Sequence, residues 1–476
     1  MLEEYKQRYK LKIGFLPTRR KVFSKEEAGK YKRLVEEKVR TYDAELVNLD
    51  FLNEEGLIYE GLDADKVADR FIQEKVDAVF APHCNFGTED AVAKVAKKVN
   101  KPLLLWGPQD DVWLPDGIRM RDTQCGLFAT SKVVSRLGVP FTYVTNSSTD
   151  SDTLDRGYRN FLSVASVVKT FSRLRIGQID TRPGAFWSVM YNESEILEKF
   201  GIEVVPISLS TIEHDVLAVI KANDPEYLGI VEGYKKKYRK ITVGEDALKS
   251  LAALKLVIRR WADAEQLSAL GIQCWDALQR ALGVYPCFVN GELTDEGLPV
   301  ACETDVMGAA SISMLQAALR GHTPAFLADL TVRHPDNPNA ELLWHCGNFP
   351  YSLAKDPEHA MVEEQFGGKC PAAGRWELKG GDITVCKMDG IGGNYNLLMG
   401  ECKGTDGPAN VGTYLWAQFG DWPKWEHRFI YGPYIHHVAA VHGKAAAALY
   451  EACKYIPGLT PDPVEPSREE IEKALR

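Results

Sequence analysis

The stretch Asp77–Trp106, DAVFAPHCNFGTEDAVAKVAKKVNKPLLLW, decides the fold class of the first third of this chain. Two short apolar runs, Asp77–Pro82 and Pro102–Trp106, stand on either side of an amphipathic segment, Thr88–Val99. Short continuous apolar runs that alternate with amphipathic helices are typical of a parallel sheet covered on both faces. The stretch therefore predicts a strand, a helix and a second strand parallel to the first.

The same alternation extends in both directions along the chain. Upstream, apolar runs at Lys12–Pro17 and Ala44–Leu49 are separated by a charged helix at about Lys25–Arg40. We expect this series to form one Rossmann-like lobe and a second series to form another. The apolar runs of the second series are Arg175–Asp180, Ile202–Ile207, Leu228–Val231, Gly271–Trp275 and Leu298–Glu303.

Beyond about Leu319, Gly and Pro become frequent and helical periodicity fades. Short β-like runs follow at Phe326–Leu330, Ile383–Met388, Asn396–Glu401, Thr413–Phe419 and His437–Val441. Such a series predicts a mainly antiparallel barrel or sandwich. The predicted fold is α/β, with Rossmann-like domains over residues 1–172 and 173–320 and a β-rich, barrel-like domain over 321–476.

Length and composition favour a multi-domain globular protein. A chain of 476 residues is too long for one core, and 45% apolar and 26% charged residues are ordinary values for an enzyme. The net charge of −9 argues against a nucleic-acid partner. The ten cysteines form no C-x-x-C pair, the first residues lack the apolar core of a signal peptide, and no apolar run reaches membrane-spanning length. We therefore expect a cytoplasmic protein that acts away from membranes.

Four segments each place a metal-ligating side chain beside an apolar run. They are ACETD around Glu303, FLADLT around Asp329, LWHCGN around His345 and YIHHVA around His436 and His437. A buried carboxylate at a strand end needs a positive partner, which a metal, a lysine or a helix N-terminus can supply. Two carboxylates with one or two imidazoles suit Mn²⁺, Fe²⁺, Co²⁺ or Zn²⁺. The four segments together predict a metal site.

The adjacent histidines His436 and His437 are expected to point to opposite faces of a strand, because successive side chains alternate. At most one of them would then be a ligand, and the apolar pattern does not identify which. His442, beside Gly443, is expected to be structural. The sequence has no phosphate loop, no H-E-x-x-H motif and no G-x-S-x-G elbow, which disfavours ATP and nicotinamide enzymes.

With these segments in view, the chain resembles the L-fucose isomerase-like family, which includes the L-fucose and L-arabinose isomerases. The most specific stretches are CETDVMGAA from Cys302, FLADL from Phe326 and the His-His-Val-Ala strand near the C-terminus. The resemblance implies two Rossmann-like lobes, a β-rich C-terminal domain and a homohexamer. It also implies interconversion of aldoses and ketoses with a divalent metal, usually Mn²⁺, with Co²⁺ or Mg²⁺ as alternatives.

The resemblance carries roles to particular positions. Glu303, Asp329 and one of His436 and His437 would bind the metal, and His345 would match a further ligand of the arabinose branch. Glu303 and Asp329 would also act as base and acid, moving a proton between C1 and C2 through a cis-enediolate.

Further residues are candidates for binding the sugar. They are Gln273, Trp416 and Asn85, the last of these reaching in from a neighbouring subunit. Departures from true L-fucose isomerases at Leu16 and at Cys84 and Asn85 leave the substrate open between L-fucose, D- or L-arabinose and another deoxy or modified sugar. Two rival functions also stay open: a sugar-binding or sensor protein, and a metal-dependent aldolase or lyase.

Overall fold

The structure is a computed structural model that describes residues 1–110, 116–275, 277–365, 370–432 and 434–475. The chain divides into two compact units. The N-terminal unit comprises Tyr9–Lys169 with Glu451–Ile456 and Glu469–Arg476, and the larger unit comprises Met1–Arg8, Thr170–Tyr450 and Pro457–Arg468.

The first elements of the chain alternate between helix and strand as the sequence predicts. They are α1 (Glu3–Lys6), β1 (Lys12–Phe15), α2 (Lys25–Val39), β2 (Glu45–Val47), α3 (Ala64–Gln73), β3 (Ala78–Pro82), α4 (Glu89–Val99), β4 (Leu103–Trp106), α5 (Thr123–Arg136), β5 (Thr142–Tyr143) and α6 (Asp152–Phe171). The five strands form one parallel sheet in the order β2-β1-β3-β4-β5. This order is that of a doubly wound sheet.

Alternate residues of the central strands serve two separate cores. Val79 belongs to the core that also contains Phe71 of α3, whereas Phe80 packs with Tyr158 of α6. Because both faces of the sheet are buried, the strand sequences are continuously apolar rather than alternating. This explains why β3 and β4 were recognisable from apolar runs alone.

The larger unit begins with a second α/β region. Its elements are β6 (Arg175–Ile179), α7 (Glu193–Phe200), β7 (Glu203–Ile207), α8 (Leu209–Lys221), α9 (Pro225–Lys237), β8 (Lys240–Ile241), α10 (Glu245–Ala264), β9 (Ala269–Ile272), α11 (Ala277–Leu282), α12 (Cys287–Glu296), β10 (Val300–Ala301) and α13 (Val306–Ala318). Strands β10, β9, β6 and β7 form a parallel sheet in that order.

The expected strand at Leu228–Val231 is wrong, because this run lies inside α9. The Asp224 carboxylate caps that helix by accepting from the Glu226 N–H, and Pro225 occupies the first turn. Both are strong helix-start signals, and they outweigh the short apolar run.

The remaining elements are mainly strands. They are β11 (Phe326–Arg333), β12 (Ala340–His345), β13 (Met361–Glu364), β14 (Pro371–Glu377), β15 (Asp382–Ile391), β16 (Asn394–Thr405), β17 (Thr413–Gln418), α14 (Trp422–Tyr431), β18 (His437–His442), α15 (Ala446–Ala452), β19 (Leu459–Pro463) and α16 (Arg468–Leu475). Within the described residues, antiparallel pairing runs β16-β15-β18-β11-β12-β17 and returns from β17 to β16. This closes a six-stranded barrel.

The predicted fold class is therefore confirmed: two parallel-sheet regions precede a β-barrel. The division into three domains at residues 172 and 320 stays a prediction. None of the helices among the described residues has the length and apolar character needed to cross a membrane.

Candidate metal and sugar site

A cavity of about 380 Å³ opens in the larger unit near the ends of β10 and β12, the start of β18 and the middle of β11. Its walls combine aromatic rings with carboxylates and imidazoles. The lining residues are Phe186, Trp275, Tyr285, Glu303, Asp329, Trp344, His345, Cys346, Gln365, His436 and His437. The volume is in the range of small-molecule sites, and a mixed aromatic and polar lining suits a sugar.

Glu303 occupies a strained turn directly after β10. Glu303 and Thr304 both have positive φ angles, 54° and 56°, which side-chain-bearing residues rarely adopt. Asp305 then starts α13, its Oδ1 accepting from the Gly308 N–H at 2.7 Å. The turn buries the Glu303 carboxylate beside the cavity, with the residue only 4% exposed.

Strand register brings the other side chains to the same place. Asp329 of β11 lies directly opposite His437 of β18 in the antiparallel pair. The His437 Nε2 atom is 3.5 Å from Asp329 Oδ1 and 3.8 Å from Glu303 Oε2. His345, the last residue of β12, places its Nε2 at 3.7 Å from the same Glu303 oxygen. Three strands and the turn after β10 thus converge on one point.

Two buried carboxylate oxygens at this point are unsatisfied. Glu303 Oε2 and Asp329 Oδ1 have no hydrogen-bond partner among the residues that the structure describes. Leaving a buried charged oxygen without a partner costs several kcal/mol, so a cation is the natural complement. Two carboxylate oxygens and an imidazole nitrogen form a donor set that fits a divalent transition metal.

His437 is oriented by groups behind it. Its Nδ1 donates to Asp305 Oδ2 at 2.9 Å, and the buried Lys387 ammonium lies 2.6 Å from the same oxygen. Burial opposes a charge on His437, yet the Asp305 carboxylate outweighs it and raises the imidazole pKa. The hydrogen bond from Nδ1 to Asp305 holds the ring so that Nε2 faces Glu303 and Asp329, where a metal ion would take the place of the Nε2 proton.

His345 has the opposite arrangement. Its Nδ1 accepts from the Cys346 backbone N–H at 2.8 Å, so the ring proton lies on Nε2, the atom that faces Glu303. Burial opposes ionisation of Glu303, but the His345 and His437 imidazoles outweigh it and lower the pKa of this carboxyl to about 2. Glu303 is therefore ionised at neutral pH.

The two adjacent histidines do not point to opposite faces, contrary to the expectation from alternation. Both line the cavity, and with Asp329 they place one ligand atom each within 4.8 Å of one another. The reason is that β18 begins only at His437, so His436 lies outside the regular strand. The two rings stand edge to face with their centroids 4.5 Å apart.

Three predicted substrate-binding residues lie outside the cavity lining. Gln273 follows β9 and keeps an unpartnered, buried side-chain oxygen in the described structure. Trp416 is buried with Leu342 and Tyr414, and its indole N–H donates to the Pro408 carbonyl. His442, which was expected to be structural, donates from Nε2 to the Lys379 carbonyl oxygen at 2.7 Å.

Asn85 lies in the N-terminal unit, and its side-chain amide stabilises the surrounding loop by hydrogen bonds. Its Oδ1 accepts from the backbone N–H groups of Arg20 and Gly87, and its Nδ2 donates to the carbonyls of Arg20 and Ser24. Both ends of the amide are thus engaged within the loop. The predicted contact of Asn85 with a neighbouring subunit's substrate stays a prediction.

The sequence analysis did not identify most of the aromatic residues that line the cavity. It also did not identify Asp305 and Lys387, which orient His437. Trp344 precedes His345 and could have been found by that adjacency, and Trp275 lies two residues after Gln273. The pairing of Asp305 with Lys387 spans 82 positions and left no local signal.

The fold and this site define the chain as a two-lobed α/β protein with a barrel whose polar pocket suits a divalent metal and a sugar. Residues 14–172 match the profile of the fucose/sulfoquinovose isomerase N-terminal domain. Sulfoquinovose isomerases from Priestia megaterium and Alkalicoccus urumqiensis are each 26% identical to the chain. The first match covers 68% of this chain and 71% of the relative, and the second covers 84% and 86%. The chain is therefore similar to the fucose/sulfoquinovose isomerases over its N-terminal region and to the sulfoquinovose isomerases over most of its length.

A solved periplasmic solute-binding protein from Actinobacillus succinogenes with bound D-allose also matches, at 12% identity over 65% of this chain and 88% of that one. Its TM-score is 0.17, which is too low to support any argument about fold or function.

Proposed function

We propose that the cavity holds a divalent metal, with Mn²⁺ as the first candidate, on Glu303, Asp329 and His437. One observation carries this proposal: the unpartnered oxygens Glu303 Oε2 and Asp329 Oδ1 both lie close to Nε2 of His437. When bound, the cation supplies the positive charge that stabilises an enediolate formed from the open-chain sugar.

Glu303 and Asp329 carry out the two halves of the proton transfer. Glu303, kept ionised by its neighbours, takes the proton from one of C1 and C2, and Asp329 returns a proton to the other. His345 presents an N–H into the same cavity and holds a sugar oxygen, a role that differs from the ligand role of the arabinose branch. His436 lies beside His437 and contacts the substrate.

Sulfoquinovose is the first substrate to test, because several curated relatives are sulfoquinovose isomerases. The metal-stripped protein is incubated with sulfoquinovose, L-fucose, D-arabinose and L-arabinose in D₂O, with and without Mn²⁺. We expect NMR to show metal-dependent ketose formation, with deuterium entering at C1 or C2. Cleavage of a carbon–carbon bond would favour an aldolase, and binding without turnover would favour a sensor protein.

A pair of single variants tests the assignment of the imidazole ligand. His437→Ala removes a ligand and should lower Mn²⁺ affinity by more than about a hundredfold, whereas His436→Ala should cost about tenfold or less. Isothermal titration with Mn²⁺ measures both, and Asp336→Asn, an exposed carboxylate between β11 and β12, is the control. Wild-type affinity in His437→Ala would overturn the proposed ligand set.

The assembly is proposed to be a homohexamer in the cytoplasm. All ten cysteines are free, which suits a reducing compartment. No lysine or arginine of the described chain lines the cavity, so a sulfonate group needs a cation from elsewhere. Arg20, which stacks 4.2 Å above Phe86 in the loop of Asn85, can supply one from a neighbouring copy.

Light scattering measures the assembly state, and an active monomer would contradict a role of Asn85 or Arg20 in a neighbouring site. Arg20→Ala should raise KM for sulfoquinovose by about tenfold or more, with little change for an uncharged aldose. Arg33→Ala, which changes an exposed arginine of α2, is the matched control. Equal KM effects on both sugars would remove the sulfonate contact.

A further inference from the structure

A second group of ligand-type side chains lies on the other oxygen of Glu303. The sulfur atoms of Cys274 and Cys302 and one oxygen of Glu303 lie within 4.8 Å of one another, and all three residues are buried. Cys274 Sγ donates a hydrogen bond to Glu303 Oε1 at 3.2 Å. These two cysteines follow β9 and β10, which are neighbours in the parallel sheet.

The distance between one sulfur and the carboxylate oxygen is compatible with a thiolate metal site. Zinc lies about 2.3 Å from sulfur and about 2.0 Å from carboxylate oxygen, so tetrahedral coordination holds sulfur and oxygen about 3.5 Å apart. The observed 3.2 Å between Cys274 Sγ and Glu303 Oε1 is close to that separation. A cation can therefore be accommodated with small movements of the side chains.

Two side-chain amides hold the Cys302 sulfur in position. The side-chain amides of Asn290 and Asn348 both donate to Cys302 Sγ, each at 3.4 Å. Both asparagines are buried, with 0% and 2% of their surface exposed. Two donors aimed at one buried sulfur fix its orientation, and hydrogen bonds of this kind orient metal ligands.

The Glu303 carboxylate separates two kinds of donor. Its Oε1 faces sulfur, whereas its Oε2 faces the imidazoles of His345 and His437. Sulfur donors select soft cations such as Zn²⁺, and carboxylate with imidazole also accepts Mn²⁺. The two sides of one carboxylate thus differ in the cations that they prefer.

We propose that Cys274, Cys302 and Glu303 form a second metal site that takes Zn²⁺ or a similarly thiophilic divalent cation. The site shares Glu303 with the proposed Mn²⁺ site but uses different donors for its other positions. The proposal concerns binding by sulfur and does not rest on isomerase turnover.

Cadmium is the probe, because a bond from Cd²⁺ to thiolate gives an ultraviolet charge-transfer band. The full-length protein is stripped of metal with a chelator, saturated with Mn²⁺ and then titrated with Cd²⁺. We expect the band to saturate at one Cd²⁺ per chain. Cys274→Ser and Cys302→Ser should each reduce the band by about half, and the double variant should lose it.

Two other cysteines provide matched controls. Cys125 is exposed on α5 and reports on adventitious surface binding, whereas Cys402 is buried in β16. Cys125→Ser and Cys402→Ser should both keep the band. No band in the wild-type protein, or a band lost in Cys125→Ser and kept in Cys302→Ser, would overturn the proposal.

A direct measurement covers the case in which a cysteine variant fails to fold. Cadmium NMR of the wild-type protein reports the number of sulfur ligands from the chemical shift. A resonance typical of two thiolates supports the site. A resonance typical of oxygen and nitrogen ligands alone rejects it, whether or not the protein isomerises any sugar.

Discussion

Glu292 and Glu303 are two buried glutamates of the larger unit, and they are compensated in opposite ways. Glu292 in α12 accepts from the ammonium groups of Lys237 and Lys255, at 2.5 and 2.8 Å, and from the Tyr238 hydroxyl. Glu303 has no lysine or arginine within salt-bridge distance in the described structure, and its Oε2 is unpartnered. Both residues are 4% exposed.

The two pKa values alone do not distinguish these carboxyls. Burial opposes ionisation at both sites, and neighbouring positive groups outweigh it and lower each pKa to about 2. The difference is that the partners of Glu292 are permanent cations in contact, whereas those of Glu303 are imidazoles 3.7 and 3.8 Å away. An unpartnered oxygen, rather than burial or a low pKa, therefore marks the site that can take a metal.

The largest effect is expected at Glu303. Glu303→Gln removes both a proposed ligand and the proposed base, so turnover should fall by about a thousandfold or more. In the absence of metal the variant should lose only the stabilisation that imidazoles 3.7 and 3.8 Å away give to the carboxylate, so its unfolding midpoint should fall slightly. NMR assays and thermal unfolding measure the two properties. Normal turnover in Glu303→Gln would place the chemistry elsewhere.

Removing a cationic partner of Glu292 should lower the stability of the protein rather than its turnover. Lys255→Met deletes the partner 2.8 Å from Glu292 and should destabilise the protein by about 3 kcal/mol, because it leaves a buried charge partly uncompensated. Turnover should be unchanged under conditions where the variant stays folded. Urea unfolding measures the loss, and Lys235→Met, which breaks only exposed ion pairs, should leave the midpoint unchanged.

The sequence predicted those features of the site that depend on local context. Glu303, His345 and His437 each stand next to or at the end of a strand, Asp329 follows the apolar first half of β11, and the cavity brings all four together. The alternation rule failed at His436 because the rule holds only inside a strand, and β18 starts one residue later. The strand boundary depends on pairing with β11, which sequence patterns do not define to one residue.

Features that depend on long-range pairing could not be predicted. Barrel closure between β16 and β17 and the contact between Lys387 and Asp305 both follow from the register of distant strands. Trp416 looked like a sugar-facing aromatic residue, yet its strand position places it with Leu342 and Tyr414. The presence of a tryptophan in a strand does not by itself determine which side chains it packs against.

An intermediate effect is expected from the residues behind His437. Asp305→Asn should lower Mn²⁺ affinity by about ten- to a hundredfold, because the carboxylate that orients His437 is lost. The double variant Asp305→Asn with Lys387→Met avoids leaving a buried lysine unpaired and should show the same affinity loss. Asp382→Asn, which changes a part-exposed carboxylate of β15, is the control for isothermal titration. Unchanged affinity in the double variant would show that Asp305 serves stability alone.

The smallest and most gradual effect is the change with pH in the contribution of Glu292 to the free energy of unfolding. The pKa of this carboxyl is about 2 in the folded protein and about 4.5 for an ordinary glutamate. Because the folded pKa is the lower one, the contribution of Glu292 is fully present above pH about 4.5 and is lost as the pH falls towards about 2. The difference in unfolding free energy between wild type and Glu292→Gln should therefore shrink over that range. Urea unfolding at several pH values measures it, with Glu232→Gln, an exposed partner of Lys235, as the control. A difference that stays constant over this range would mean that Lys237 and Lys255 do not hold Glu292 in its charged form, and the contrast with Glu303 would lose its basis.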